Sequence, residues 1–94
     1  MDIFGGYDLL GPGAATARYH REFDHATNLA YQGLYWDASR YAHSAAYGRG
    51  YVANHYYGGF DRGHLQAYEH VSNYAYGWER MAGEAFDLDP FGNW

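Results

Sequence analysis

Glu22-x-x-His25 and Asp61-x-x-His64 each set a carboxylate three residues before a histidine. On a helix, positions i and i+3 share a face, and di-iron bundle proteins use Glu-x-x-His pairs in that way. The chain has six histidines (His20, His25, His43, His55, His64 and His70) and no cysteine. Disulfides and thiolate metal sites are therefore excluded. Any metal would rest on imidazole and carboxylate, with His25, Asp61, His64 and Glu69 as the candidate ligands, in a ferritin-like helical protein. The pattern falls short of a di-iron centre, because the bridging glutamates of the other helices are missing and only Glu69 is well placed. The plainer reading is of exposed or interface histidines beside acids, with no metal and no cofactor.

Nucleophilic chemistry has less to work with. Ser39, Ser44 and Ser72 fall inside predicted helices and not on a strained turn. Gly11-Pro12-Gly13 and Gly48-Arg49-Gly50 are short glycine turns with no strand before them, so neither reads as a phosphate loop. Asp87 and Asp89 lie in a tail. No catalytic residue is assigned, and the chain is expected not to be an enzyme.

The composition points elsewhere. Twelve Tyr, five Phe and three Trp stand beside thirteen Gly, and all six basic residues are Arg. The net charge of −5 disfavours nonspecific binding to nucleic acid or to an anionic membrane. No apolar run approaches the roughly 20 residues that span a bilayer. The opening "MDIFGGYDLLGPG" has no basic segment and carries two Asp, unlike a signal peptide. A cytoplasmic or otherwise intracellular location is expected.

The elements that position these residues follow from a repeat. Residues 11–46 align with 48–83 at an offset of 37, with nine identities: Gly11/Gly48, Gly13/Gly50, Tyr19/Tyr56, Phe23/Phe60, Asp24/Asp61, Ala30/Ala67, Tyr31/Tyr68, Ala38/Ala75 and Ala45/Ala82. Each half then spaces its apolar residues 3, 4, 3, 4. That is the heptad spacing of one helical stripe. Tyr31, Leu34, Ala38, Tyr41 and Ala45 form the first stripe. Tyr68, Val71, Ala75, Trp78 and Ala82 form the second.

The pattern predicts an all-α fold: one small domain over 1–94, an antiparallel hairpin of two ~37-residue repeats, with helices over about 25–47 and 62–85. Asp24 and Asp61 are the expected N-caps, each after a stapling Phe. Gly58-Gly59 precedes the second helix, and Gly48-Arg49-Gly50 is expected to stop the first. "AATARYHRE" (14–22) is helix-permissive and offers an earlier start. Gly33 and Gly77 would lie inside helices and permit close approach. Residues 1–10 and 84–94 read as aromatic, acidic tails that dock on the helices or on a neighbour.

A hairpin has too little interior for twenty aromatic rings. Tyr35, Trp36, Tyr47, Tyr57, Tyr74 and Tyr76 fall off the stripes. Tyr and Trp are enriched at protein interfaces. The sequence therefore predicts a non-catalytic structural or assembly subunit that associates through Tyr/Trp-rich helical surfaces. Its partner is a second copy in a homo-oligomer or a larger protein assembly, with no nucleic acid and no membrane insertion. Packing or interface roles fall to Tyr31, Leu34, Tyr41, Tyr68, Val71, Trp78, Trp36 and Tyr74.

Overall fold

Glycine and proline divide the chain into three helices. The computed structural model describes residues 6–59 and 62–87. A single 3-10 turn, Tyr7–Leu9, leads into α1 (Pro12–Tyr31), α2 (Tyr35–Tyr56) and α3 (Arg62–Asp87). Among the described residues there is no strand. α1 starts with Gly11 as N-cap and Pro12 in its first turn, where a missing N–H costs nothing.

α1 ends at a glycine. Gly33 has φ +79°, the left-handed region that a Cβ disfavours. Its N–H bonds the Ala30 carbonyl at 3.0 Å, and the Leu34 N–H bonds the Leu29 carbonyl at 2.9 Å. These two bonds make a Schellman motif, which satisfies the last carbonyls of the helix. Gly58 and Gly59, at φ +74° and +119°, close α2 in turn. The Gly59 N–H reaches back to the Ala53 carbonyl at 2.9 Å.

The predicted hairpin is thus corrected to three helices. The span 25–47 is not one helix, because Gly33 breaks it. Asp24 lies in the interior of α1 and caps nothing; Phe60 and Asp61 lie outside the described residues. The 37-residue offset sets the break after Tyr31 against the interior of α3, and the break after Tyr56 against the interior of α1. The correspondence of sequence is not a correspondence of helices.

α2 is the middle element, packed against α1 on one side and α3 on the other, while the backbones of α1 and α3 hardly approach. The central position explains why α2 buries residues all round: Ala38, Ala42, Ala45, Ala46, Val52 and Ala53 among them. Two clusters form the core. One gathers Tyr7, Ala15, Tyr19, Ala45, Ala46, Val52 and Val71, with Phe23, Tyr51 and Tyr68 half-buried at its edge. The other gathers Ala26, Ala38, Ala42, Ala75 and Trp78, bordered by Phe23, Leu29, Tyr35 and Tyr41. Small residues bring the helices together, and rings fill the remaining space.

Gly48-Arg49-Gly50 does not stop a helix. It runs through α2, and Gly48 is buried because the ring of Tyr7 lies on it: a Cβ at 48 would overlap the phenol. Gly77 lies inside α3 as predicted, but no described residue comes within 4 Å of its missing Cβ.

Candidate interaction surface

The N-terminal turn is fixed first. Tyr7 is 1% exposed. Its hydroxyl donates to the Glu22 carboxylate. That carboxylate also pairs with Arg18 Nε at 2.9 Å, and the Arg18 guanidinium lies 4.1 Å from the centre of the Tyr7 ring. Gly6, at φ +92°, brings the backbone beside Arg18. Tyr56 Oη donates to the Leu10 carbonyl at 2.9 Å and ties the end of α2 to the same segment. Burial raises the Tyr7 pKa well above the ordinary tyrosine range, and the hydrogen bond to Glu22 and its negative charge push the same way. The phenol is held neutral.

Glu22 is therefore engaged with Arg18 and Tyr7 and does not form a pair with His25, although α1 carries both. Each histidine instead meets an aromatic ring. His25 stands edge-on to Tyr41 at 4.6 Å and His43 to Tyr76 at 4.8 Å, both across helices. His64 stacks on Tyr57 at 4.9 Å and His55 on Tyr51 at 3.9 Å. His20 lies against Tyr19, and His70 against Tyr74 and Phe23. His43 Nε2 also meets Glu79 at 3.2 Å. Glu69 is exposed. Among the described residues no three His, Asp or Glu side chains come together as a metal group, and the candidate ligand Asp61 lies outside those residues.

The first predicted stripe is divided by the break at Gly33. Ala38 and Ala45 are buried and Tyr41 is half-buried. Tyr31 is 86% exposed and Leu34 is exposed at the start of α2, so neither packs inside the fold on that stripe, and an interface role is all that is left to them. On α3, Val71, Ala75 and Trp78 are buried and Tyr68 is half-buried. Of the off-stripe rings, Tyr35 is half-buried, whereas Trp36, Tyr47, Tyr57, Tyr74 and Tyr76 are exposed. Tyr7 and Arg18 were not singled out by the sequence reading, while Glu22 was read as a partner of His25 and Gly48 as a helix stop. The only signals were a Gly-Tyr pair before the Gly-Pro helix start and a glycine in a helix-forming stretch.

Three of the exposed rings, Tyr31, Tyr47 and Tyr74, line grooves. Where α1 and α3 splay, a groove of about 370 Å³ is lined by Phe23, Thr27, Ala30, Tyr31, His70, Tyr74 and Trp78. Its floor is aromatic: Phe23, Tyr74 and Trp78 lie 5.3–6.1 Å apart, centre to centre. A second groove of similar size lies between α2 and α3, with Tyr47, Tyr51, Leu65 and Tyr68. Among the described residues neither lining includes an Asp, Glu or Arg. The arrangement offers contact area and ring faces. No described helix is long and apolar enough to cross a membrane. No family model, curated protein or solved structure matches the chain, so a functional reading rests on this surface.

Proposed function

We propose that the protein is a non-catalytic structural or assembly subunit that associates through its Tyr- and Trp-rich helical surfaces, with copies of itself or within a larger complex. The observation that carries this reading is the number of large rings left in water after the three helices have packed. Tyr31, Trp36, Tyr47, Tyr57 and Tyr76 are each more than half exposed, and Tyr56 and Tyr74 are not far behind. Single exposed apolar residues are ordinary. Seven exposed rings, on a chain with few aliphatic residues, are the composition of an interface. Association would complete the burial that three short helices leave unfinished.

Sedimentation equilibrium over a wide range of protein concentration tests the reading. The expected result is a mass above that of one chain that falls on dilution. A single-chain mass at every concentration would refute self-association.

A further inference from the structure

We infer that α1 and α2 carry a phenol-binding site that is complete without the N-terminal turn, and that Tyr7 is its resident ligand, held in cis. The ligand class is a neutral para-alkyl phenol, the head group of a tyrosine. The inference stands apart from the assembly reading, because it concerns a site inside one chain.

The recognising groups stand on helices. The floor is Gly48, in the interior of α2, where a Cβ would overlap the ring. The acceptor is the Glu22 carboxylate of α1, which takes the hydroxyl's hydrogen bond. Arg18, one turn earlier on α1, sets its guanidinium 4.1 Å from the ring centre, a cation–π contact. Tyr47 of α2 adds a second ring 6.2 Å away, tilted by 59°. Each group selects. The glycine admits a flat ring, the carboxylate accepts a hydroxyl and repels an anion, and the guanidinium favours a π face. Together they distinguish a phenol from an aliphatic group or a carboxylate.

None of these groups needs Tyr7 to hold its position. Glu22 pairs with Arg18 at 2.9 Å, and both side chains are largely buried. The pair lies at i and i+4 of one helix, so the acceptor keeps its place when the phenol leaves. Gly48 is part of the α2 backbone.

The turn that delivers the phenol adds little else. Tyr7–Leu9 is a single 3-10 turn. Its bonds from Leu9 N–H to the Gly6 carbonyl and from Leu10 N–H to the Tyr7 carbonyl, both 3.1 Å, close it on itself. Leu9 is exposed, whereas Tyr7 is the largest fully buried side chain among the described residues. A short segment that buries one phenol in a seat made by other elements is an anchor in a receptor. Truncating a buried side chain leaves a cavity that takes up small aromatic molecules of matching shape. Here the cavity keeps an acceptor for a hydroxyl as well.

The test is chemical rescue with p-cresol, which is the tyrosine side chain as a free molecule. Thermal melts followed by circular dichroism compare wild type, Tyr7→Ala and Tyr7→Ala/Gly48→Ala, each with p-cresol and with toluene. The expected result is a Tm of Tyr7→Ala that climbs with p-cresol concentration, as binding to the folded state requires. Its Kd for p-cresol should be at least about tenfold lower than for toluene, which cannot bond Glu22. Wild type, with the seat filled, and the double variant, with a methyl group in it, should show no such rise. If Tyr7→Ala does not fold alone, the measurement becomes recovery of its helical signal on adding p-cresol. A Tyr7→Ala protein that p-cresol neither stabilises nor refolds would overturn the site. So would p-cresol acting no better than toluene, or equally on the double variant.

Discussion

Two helix-interior glycines should respond to the same substitution with opposite signs. Gly48→Ala places a methyl group where the Tyr7 ring lies. The backbone of α2 gains about 1 kcal/mol of helix preference. Against this, the N-terminal turn must leave its seat. Uncovering a buried aromatic side chain costs about 1.5–3 kcal/mol. Losing the hydroxyl's bond to the Glu22 carboxylate costs a further ~1.5–3 kcal/mol. Glu22 and Arg18 keep each other and regain water, so part of the second cost is recovered. The net is a destabilisation of about 2–4 kcal/mol, or a Tm lower by roughly 8–30 °C at about 4–8 °C per kcal/mol for a chain of this size. Gly77→Ala has the helix gain alone and should raise Tm by about 4–8 °C.

Thermal melts followed by far-ultraviolet circular dichroism, on dilute protein, measure both. A third variant makes the reasoning strict. In a Tyr7→Ala background the seat is already empty, so Gly48→Ala should now stabilise by about 1 kcal/mol. Gly48→Ala melting at or above the wild type would refute the seating of Tyr7. So would a Gly48→Ala effect that is the same with and without Tyr7.

Three further outcomes follow from the packing. Trp78→Ala, in the cluster with Ala26, Ala38 and Ala42, should cost about 3–5 kcal/mol, whereas Trp36→Ala, at an exposed site, should stay within about 0.5 kcal/mol; chemical denaturation of both variants measures the difference. Asp24→Ala should be neutral or slightly stabilising in the same assay, because Asp24 is exposed in the interior of α1 and alanine is the better helix former; a loss of about 1 kcal/mol would restore it as a cap. Tyr7 is held neutral, with its pKa raised above that of an unfolded tyrosine. Its contribution is complete below about pH 10 and declines as pH rises beyond that, when the unfolded chain ionises and the folded one does not. Stability measured from pH 9 upward should fall less steeply in Tyr7→Phe than in the wild type; equal slopes would remove Tyr7 from the alkaline transition.

The helical class was legible in the 3-4 spacing of apolar residues. The start of α3 at Arg62 was legible in the glycine pair before it. The division of the first half was not. Gly33 was read as a helix-interior glycine and is a terminator; Gly48 was read as a terminator and lies inside a helix. Local sequence does not separate the two roles, because both exploit a missing Cβ. At 33 the missing Cβ admits a positive φ; at 48 it admits a ring from forty residues away. The second use is visible only once Tyr7 has a place. Asp24 misled for a related reason. Phe-Asp is a sound helix start when the preceding residues are not helical, but residues 14–22 are, and α1 passes straight through. Exposure of the off-stripe rings was legible, since five of the six that fell off the pattern point to water.

The unusual composition has one physical logic. With one Ile and two Val in the chain, there is little branched aliphatic volume to set helix spacing. Alanine takes the seams at Ala15, Ala26, Ala38, Ala42, Ala45 and Ala75, which brings backbones close but fills almost nothing. Volume is then supplied by flat rings laid across the gaps: Tyr7 on Gly48, Tyr19 in the first cluster, Trp78 in the second. A ring fills such a gap only where its neighbour is small, so large and small residues must alternate across each contact. On α3 the ring of Tyr74 is likewise taken up within the fold, against Phe23, His70 and Trp78. Inside the fold every such large-small pair is closed by another helix or by the N-terminal turn.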